Sequence, residues 1–230
     1  MQRIREYWIR WVREPWVVTR RFDHAIKQQA SYIRGYLLDV GCGNKPFQDL
    51  FSQSIERYIG LDLPRDPPHC MDIIADAQNI PIATESMDAV LCTHVLVHIM
   101  NPQKAVLEMA RVLKKDGILL LSARQMWHVY TDQDFYRFTR SGLQLLTENA
   151  RLEVIHSFGV CGLFARIGAK IIYWLHSLNR KRIRWFTEIP IGLLILVVQA
   201  LFYCLDRLIP TPKDPVYNIV LAKKIEKNIG

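Results

Sequence analysis

The chain has 230 residues, half of them hydrophobic, which is enough for one well-packed domain or two small ones. Its five cysteines are odd in number, scattered and free of any C-x-x-C pair, so neither a disulfide framework nor a zinc knuckle is indicated. We therefore expect a protein of the reducing cytoplasm that holds no metal ion.

The net charge of +8 is concentrated in the flanks of the chain. Residues 1–36 carry eight Lys or Arg residues and three acidic ones, and residues 161–186 carry six and none. A nucleic-acid enzyme more often carries its basic residues beside the catalytic centre, so we expect no nucleic-acid partner. Basic flanks next to tryptophans and an apolar run are typical of contact with an anionic membrane surface.

The first predicted element is a basic and aromatic helical segment over residues 1–35. Ile4, Trp8, Trp11 and Val12 are spaced for one helical face, and arginines lie on the other. Such a helix either contacts a membrane interface or caps a ligand site. The segment lacks an apolar h-region, so we expect no cleaved secretory signal.

From residue 36 onward, short apolar runs alternate with helical stretches, a pattern that predicts a doubly wound α/β sheet. The first predicted strand begins at Tyr36, and the others cover residues 57–63, 87–95, 117–124, 152–160 and 216–225. The predicted helices cover residues 101–117 and 139–150, and Thr139 caps the second one. This domain is expected to comprise residues 36–160 and 214–230, with residues 161–213 as an inserted hydrophobic helical hairpin.

A glycine turn follows the first strand, in the run Asp39-Val40-Gly41-Cys42-Gly43-Asn44. Glycines there let the backbone pass close to a ligand, but the third glycine of the dinucleotide fingerprint is absent, which argues against NAD or FAD. Asp62 ends the second strand, where a carboxylate can accept both hydroxyls of a ribose, and Asp76 precedes the third. Together these acids predict a site for an adenosine that carries a positive charge.

Four stretches, "LLDVGCGN", "IGLD", "ADAQNIPIATESMDAVLCTHVLVHI" and "ARVLKKDGILLLS", resemble class I S-adenosylmethionine-dependent methyltransferases of type 11. The resemblance covers residues 36–160 and implies a Rossmann-like seven-stranded sheet with an antiparallel last strand. It also implies S-adenosyl-L-methionine as the cofactor. Two positions depart from the family pattern: Lys45 stands where many relatives have glycine, and Val97 stands where many have glutamate.

The resemblance also assigns the cofactor-binding residues. The turn Gly41–Asn44 would support the methionine part, Asp62 the ribose, Asp76 with Ala77 the adenine, and Thr93 with His94 the floor near the methyl group. The full set of candidate cofactor-binding residues is Asp39, Gly41, Cys42, Gly43, Asn44, Asp62, Leu63, Asp76, Ala77, Thr93 and His94.

The catalytic candidates are His128, His98, Asp134 and Tyr136. If the acceptor is a hydroxyl, a nearby general base helps, and histidine is the usual choice. Most of the candidates lie in the loop after the fourth strand, which would overhang the edge of the sheet where open α/β folds bind ligands. Structural roles are the alternative for each of them, and Arg137 would either clamp a phosphate or brace an acid of its own loop.

The most apolar stretch, residues 189–205, is about 26 Å long as a helix, which is short of a ~30 Å hydrocarbon layer. The strand at 216–225 must pair in the same sheet, so the insertion has to leave and return. A buried helical pair, a hairpin within one leaflet and two crossings all satisfy this. Arg166 and Lys170 on the first arm, 163–178, favour a hairpin that dips into one leaflet or lies on its surface. Pro190 suits the first turn of the second arm.

The predicted function is methylation of a lipid, quinone or lipid-linked sugar by an enzyme bound peripherally or monotopically to the inner face of the membrane. The connection between the last two strands should leave the sheet at the edge that carries the cofactor, so a hairpin there would bring the active site to the bilayer. One alternative is a methyltransferase for a soluble sugar or small molecule, with the insertion as a homodimer interface. Another is a non-catalytic cofactor-binding scaffold.

Overall fold

The structure, a computed structural model, describes residues 16–64, 70–126, 129, 131–178 and 184–225. The predicted N-terminal helical face (Ile4, Trp8, Trp11 and Val12) and the catalytic candidate His128 lie outside these residues.

The described chain alternates strands and helices. The helices are α1 (Trp16–Gln28), α2 (Gln48–Phe51), α3 (Pro102–Val112), α4 (Arg140–Asn149), α5 (Leu163–Leu178) and α6 (Arg184–Leu208). The strands are β1 (Gly35–Val40), β2 (Ile55–Asp62), β3 (Ile73–Ile74), β4 (Met87–Thr93), β5 (Leu113–Arg124), β6 (Leu152–Val160) and β7 (Tyr217–Lys224).

The seven strands form one sheet in the order β3-β2-β1-β4-β5-β7-β6. The first five strands pair in parallel, and β7 pairs antiparallel with β5. The predicted fold class, a Rossmann-like sheet with an antiparallel last strand, is confirmed. The carboxyl ends of β1, β2, β4 and β5 therefore meet at one edge, which is where such sheets bind ligands.

The predicted boundary between the third helix and the fifth strand was wrong. The helix α3 ends at Val112 rather than at residue 117, and β5 begins at once with Leu113, which pairs with Met87. The next pair is Ala89 with Ile118, so the residues between form a bulge in which Asp116 adopts a φ of 62°. The polar residues of this bulge in β5 therefore resemble, in the sequence, the end of a helix.

The chain divides into two compact units, residues 26–158 with 217–230 and residues 1–25 with 159–216. The first unit contains the sheet, whose central strands are buried on both faces. Leu38, Val90 and Leu121 are fully buried there and pack with Met109 of α3. Long apolar runs in β1, β4 and β5 are the expected consequence of helices on both faces of a parallel sheet.

The second unit is built on the pair α5 and α6. Small residues let the two helices approach closely, because a Cβ at Gly168 would lie 2.6 Å from the Cβ of Phe202. Ile172, Leu175 and Ile195 form the core between them. The sequence prediction for Pro190 was wrong: α6 begins at Arg184, so the proline lies inside the helix and not in its first turn.

Asp206 of α6 holds the base of this helical pair. Its buried carboxylate accepts hydrogen bonds from the backbone N–H groups of Gly162 (3.0 Å) and Ala165 (3.1 Å), at the amino end of α5. It also pairs with the guanidinium of Arg21 in α1. A carboxylate at a helix N-terminus satisfies orphan donors and interacts favourably with the helix dipole.

Replacing Asp206 by alanine should lower the free energy of unfolding of the helical unit by about 3 kcal/mol or more, because the change removes a cap and one partner of a buried ion pair. Hydrogen–deuterium exchange along α5 measures the effect directly. The matched control is Asp214→Ala, which removes a half-exposed carboxylate 3.4 Å from Arg166. That change should cost less than about 1 kcal/mol. Equal effects of the two changes would contradict the role assigned to Asp206.

Candidate active site

The glycine turn after β1 is folded back on β2. The N–H groups of Gly41 and Cys42 both donate to the carbonyl of Leu61, at 2.7 and 3.1 Å. Gly41 has a φ of 74°, and a Cβ at this position would lie 2.1 Å from Cγ2 of Val95. Both the backbone conformation and the space therefore require glycine.

The carboxylate of Asp62 is held beside this turn. It accepts hydrogen bonds from the N–H groups of Gly43 (2.9 Å) and Leu63 (2.8 Å). These two bonds fix the carboxylate at the end of β2 and tie the glycine turn to it. An ionised carboxylate can accept about four hydrogen bonds, so this geometry leaves capacity for ribose hydroxyls.

The position of Lys45 explains the first departure from the family pattern. Lys45 has a φ of 52°, the left-handed region in which glycine is the ordinary choice. Its ammonium pairs with Asp72 at 2.7 Å, and the same carboxylate oxygen accepts from the N–H of Gly60 at 2.6 Å. The ion pair and this hydrogen bond keep the pKa of Asp72 below its usual value, although partial burial works in the opposite direction. The strained backbone at Lys45 is therefore offset by an ion pair that links the turn to β2 through Asp72.

The loop that carries Asp76 is anchored by α3, an arrangement that sequence reasoning missed. Glu108 accepts from the N–H of Ile80 at 2.9 Å, and Arg111 donates to the carbonyls of Ile80 and Ile82 at 2.8 and 2.9 Å. Glu108 and Arg111 also pair with each other at 2.8 Å. The spacing of an acid and an arginine three residues apart in α3 was the available signal, but it does not reveal which backbone groups they bind.

Asp39 lies under the turn rather than in it. The side chain is almost fully buried, and its Oδ2 accepts a hydrogen bond from the Tyr58 hydroxyl at 2.5 Å. Burial raises the pKa of Asp39 from 3.8 to about 7, with a further contribution from the negative charge of Asp62, although the Tyr58 hydrogen bond opposes the shift. Asp39 therefore supports the turn from below and changes charge near neutral pH.

A cavity of about 540 Å³ opens at this edge of the sheet. The predicted residues that line it are Gly41, Gly43, Asp62, Leu63, Asp76, Ala77, Thr93, His94 and His98. Lining residues that sequence reasoning did not single out are Leu61, Pro64, Ala75, Val95, Ile99, Arg124, Thr131 and Gln133. The predicted residues Asp39, Cys42, Asn44, Asp134 and Tyr136 do not line it.

His94 is a neutral component of the cavity floor. It follows β4 with a φ of 62°, and its ring stacks against Tyr217 with 4.5 Å between the centroids. Burial, with smaller contributions from the nearby Arg124 and His98, lowers the pKa of His94 to about 3. A histidine with such a pKa is a weak base, so His94 supplies shape and an uncharged polar edge.

His98 lies on the single helical turn Leu96–His98 and faces the same cavity. Its Nδ1 is 3.0 Å from the carbonyl oxygen of Gln133. A carbonyl can only accept, so Nδ1 carries the proton in this hydrogen bond and Nε2 is the nitrogen that can accept one. Val97 beside it is fully buried, which explains why an apolar residue stands there.

The loop between β5 and α4 is closed at its base by Asn218 of β7. The Asn218 side-chain amide donates to the Gln125 side chain (2.8 Å) and to the Phe138 carbonyl (2.9 Å), one at each end of the loop. Within the loop, Asp134 is buried against Arg137, at 2.5 and 2.8 Å. Arg137 thus braces an acid of its own loop, one of the two roles expected for it.

Tyr136 is also committed within this loop. Its hydroxyl donates to the carbonyl of Met100 at 3.0 Å, and its N–H lies near the carbonyl of Val97. Since Tyr136 and Asp134 make these local contacts and lie outside the cavity lining, the structure favours loop-positioning roles for them. Among the described residues, no group of three or more His, Cys, Asp or Glu side chains could hold a metal ion.

The donor and acceptor set of the cavity fits a sulfonium nucleoside. Two carboxylates, Asp62 and Asp76, lie at the ends of adjacent strands and can accept from ribose and adenine. Ala77 and Leu63 add apolar atoms to the lining. The Oδ1 of Asp39, close to the end of β1, is buried and makes no hydrogen bond to the described residues.

Comparison with known proteins agrees with this geometry. The family model for the methyltransferase domain matches residues 38–121. A Mycobacterium bovis protein named as an uncharacterized methyltransferase is 33% identical over 96 residues, 37% of this chain and 38% of that protein. The Campylobacter jejuni protein named ubiquinone/menaquinone biosynthesis C-methyltransferase UbiE is 41% identical over 54 residues, 24% of this chain and 23% of that protein. This chain thus matches well under half the length of these relatives.

The fold is also that of YcgJ from Bacillus subtilis. That structure superposes with a TM-score of 0.52 at 17% identity, covering 89% of this chain and 98% of YcgJ. The match of residues 38–121 to the methyltransferase-domain model confirms the predicted resemblance to S-adenosylmethionine-dependent methyltransferases. The cofactor of this family is S-adenosyl-L-methionine, and the residues at the cavity fit it.

Replacing Asp39 by asparagine should flatten the pH dependence of stability. The raised pKa means that the protonated side chain stabilises the fold fully below pH 3.8, and this stabilisation is lost as pH rises to about 7. The wild type should therefore lose on the order of a few kcal/mol relative to the variant between about pH 5 and about pH 8. Urea unfolding of both proteins at the two pH values measures this. A constant difference would mean that Asp39 does not titrate in this range.

Proposed function

We propose that this chain is an S-adenosylmethionine-dependent methyltransferase that acts at a membrane surface on a lipid, quinone or lipid-linked sugar. The observation that carries the activity is one cavity lined by Gly41, Gly43, Asp62 and Asp76 at the carboxyl edge of the sheet. The family match over residues 38–121 supports the same activity.

Methyl transfer requires no covalent bond between the protein and the substrate. The bound cofactor supplies a methyl group on a sulfonium, and the protein has to hold donor and acceptor in line at about 3 Å and exclude water. Asp62 and the glycine turn, joined by a hydrogen bond of 2.9 Å, form a rigid support for this purpose. The loop closed by Asn218 covers the acceptor side.

A proton must leave the acceptor if the methylated atom is a hydroxyl oxygen. His98 is the best-placed base among the described residues, because its Nδ1 is engaged by Gln133 and its Nε2 can accept a proton. His94 is unsuited to this role because its pKa is lowered to about 3. His128 remains a candidate from the sequence.

The membrane part of the proposal rests on the helical unit. In α6, the stretch Pro190–Leu208 is long and apolar enough to cross a membrane, with a mean hydropathy of 1.9, and only 22% of it is buried. Leu193, Val197 and Leu201 repeat every four residues on one exposed face, each at least half exposed. A contiguous apolar helical face of this kind is typical of an interaction surface.

The sheet connectivity favours a hairpin over one crossing. The chain leaves the sheet after β6 and returns to pair β7 with β5, so both ends of the insertion must be on the same side of a bilayer. Arg166 and Lys170 of α5 oppose deep burial of the first arm. The basic run 180–184, which leads in sequence from α5 to the first residue of α6, suits anionic headgroups. The name of the Campylobacter jejuni relative supports a quinone as one acceptor class.

The activity is tested with methyl-labelled S-adenosylmethionine and a cellular lipid extract. The wild type should transfer label to the organic phase, and Asp76→Ala should weaken S-adenosylhomocysteine binding at least about tenfold, because it removes a charged acceptor. Asp76 is exposed, and its carboxylate accepts hydrogen bonds from the N–H and the side-chain amide of its neighbour Gln78, so the variant should fold. Asp62→Ala should have a larger effect.

The control for these variants is Asp49→Ala, an exposed acid on α2, which should bind S-adenosylhomocysteine like the wild type. Undiminished binding by both Asp62→Ala and Asp76→Ala would contradict the cofactor site. Binding without any methyl transfer would favour the scaffold alternative. Label in aqueous metabolites alone would favour a soluble acceptor.

Membrane contact is tested by co-sedimentation with vesicles of phosphatidylcholine and phosphatidylglycerol. Val197→Glu with Leu201→Glu should weaken vesicle binding by at least about tenfold, because two apolar side chains no longer enter the bilayer. Leu145→Glu on α4 is the control, since Leu145 is 58% exposed and Val197 64%. Two outcomes would contradict a membrane-binding face on α6. One is vesicle binding by the α6 variant that equals that of the wild type, and the other is a stable dimer that the two substitutions dissociate.

A further inference from the structure

The side chain of Lys45 crosses from the glycine turn over β2 to a later segment of the chain. A Cβ at Gly60 of β2 would lie 2.6 Å from Cε of Lys45, so the lysine stem lies directly against the strand there. The ammonium reaches the carboxylate of Asp72 at 2.7 Å, and the lysine side chain is 11% exposed. Glycine at position 60 leaves room for this path, and burial of the stem limits the positions that the ammonium can take.

Asp72 stands at the start of the segment that leads to Asp76. The N–H of Asp72 donates to the carbonyl of Gly60 at 2.8 Å, and the Asp72 carboxylate accepts from the N–H of Gly60 at 2.6 Å. The two residues of β3 follow, and the N–H of Ala75 then donates to the carbonyl of Asp62 at 3.1 Å. A strand of two residues is a weak restraint by itself. The ion pair at Asp72 therefore adds a restraint on the path to Asp76.

The pair of Lys45 with Asp72 joins two parts of the cavity lining from behind. Gly41 and Gly43 lie on the turn just before Lys45, and Asp76 follows Asp72 by four residues. Lys45 and Asp72 are not among the described residues that line the cavity. A tie behind two ligand-binding segments fixes their spacing before the ligand arrives, which lowers the entropic cost of binding.

The backbone of Lys45 indicates a role beyond stability. Its φ of 52° lies in the left-handed region, where lysine costs free energy that glycine does not. The Asp72 side chain is 47% exposed, and an ion pair with such an exposed partner contributes little to the stability of the fold. A strained residue whose side chain ties two ligand-binding segments together is typical of a functional site.

We propose that Lys45 is a positioning residue for cofactor binding. Its ion pair with Asp72 sets the spacing between the glycine turn and the Asp76 loop, and thereby the affinity for S-adenosyl-L-methionine. The lysine acts through Asp72 and makes no contact with the ligand. This inference rests on the proposed methyltransferase function and identifies a determinant of its cofactor affinity.

Lys45→Gly separates this role from a structural one. The change relieves the backbone strain and removes the ion pair, so the midpoint of urea unfolding should stay near that of the wild type. The calorimetric affinity for S-adenosylhomocysteine should nevertheless fall about tenfold, the usual size of one lost coupling between neighbouring groups. Hydrogen–deuterium exchange of the ligand-free protein should become faster over residues 72–78. A structural role alone would move stability and affinity together.

Asp72→Asn removes the other charge of the pair and keeps an oxygen that can accept from the N–H of Gly60. The affinity of this variant for S-adenosylhomocysteine should fall by a similar factor. The double variant, Lys45→Gly with Asp72→Asn, should bind no more weakly than either single variant, because all three proteins lack the same interaction.

The matched control is Asp88→Asn. Asp88 also accepts from a lysine, Lys114, and from a backbone N–H, that of Tyr36, both at 2.8 Å. Asp88 and Tyr36 lie near the amino ends of β4 and β1, at the edge of the sheet opposite the cavity. The affinity of Asp88→Asn for S-adenosylhomocysteine should therefore equal that of the wild type.

Three results would overturn the proposal and leave the methyltransferase function intact. The first is unchanged affinity in both single variants, and the second is losses that add in the double variant. The third is weaker binding by Lys45→Gly with unchanged or tighter binding by Asp72→Asn, which would place the lysine on the ligand itself. A wild type that does not bind S-adenosylhomocysteine would overturn the proposed function and this inference with it.

Discussion

The antiparallel pairing of β7 with β5 is the constraint on which most of the structure depends. It runs from Ile118 opposite Lys223 to Arg124 opposite Tyr217. Because β7 follows the helical insertion in sequence, this pairing forces the insertion to return to the sheet it left. The same pairing sets the edge of the cavity, since Tyr217 contacts the ring of His94 and Asn218 closes the loop between β5 and α4.

Charge is unevenly distributed over the cavity lining. The acids Asp62 and Asp76 lie at the ends of β2 and β3, and Arg124 lies at the end of β5. Parallel strands make this separation simple, because each strand delivers one side chain to the same edge at a spacing of about 5 Å per strand. Burial shifts the pKa values of Asp39, outside the lining, and of His94, within it, toward the uncharged form.

The unit that contains α5 and α6 is held at its base by a small number of polar contacts. Asp206 caps α5 beside the Thr211 hydroxyl, which accepts from the N–H of Leu163, and it also pairs with Arg21. One buried carboxylate of α6 thus contacts both α5 and α1. The opposite side of α6 exposes leucines and valines. A helix with a polar anchor at its base and an apolar outer face can keep its structure while that face contacts a bilayer.

Much of the site could be predicted because its chemistry is local. Glycines at positions 41 and 43, Asp62 and Asp76 follow predictable strands at recognisable spacings, and all line the cavity. The two-residue strand β3 could not be predicted, because it is too short to show a period and depends on its pairing with β2. The prediction for Pro190 was wrong because proline favours the first turn of a helix, whereas α6 begins earlier, at Arg184.

The amino-acid sequence by itself determined the order of strands and helices, the cofactor class and the apolar character of the insertion, because these follow from periodicity and short motifs. Only the tertiary structure decided which distant side chains meet: Arg124 with the cavity, Asn218 with both ends of the loop, and Glu108 with Arg111 against the Asp76 loop. Such contacts join residues far apart in the chain, and no local pattern encodes the distance between them. The sheet supplies that information when its strands pair.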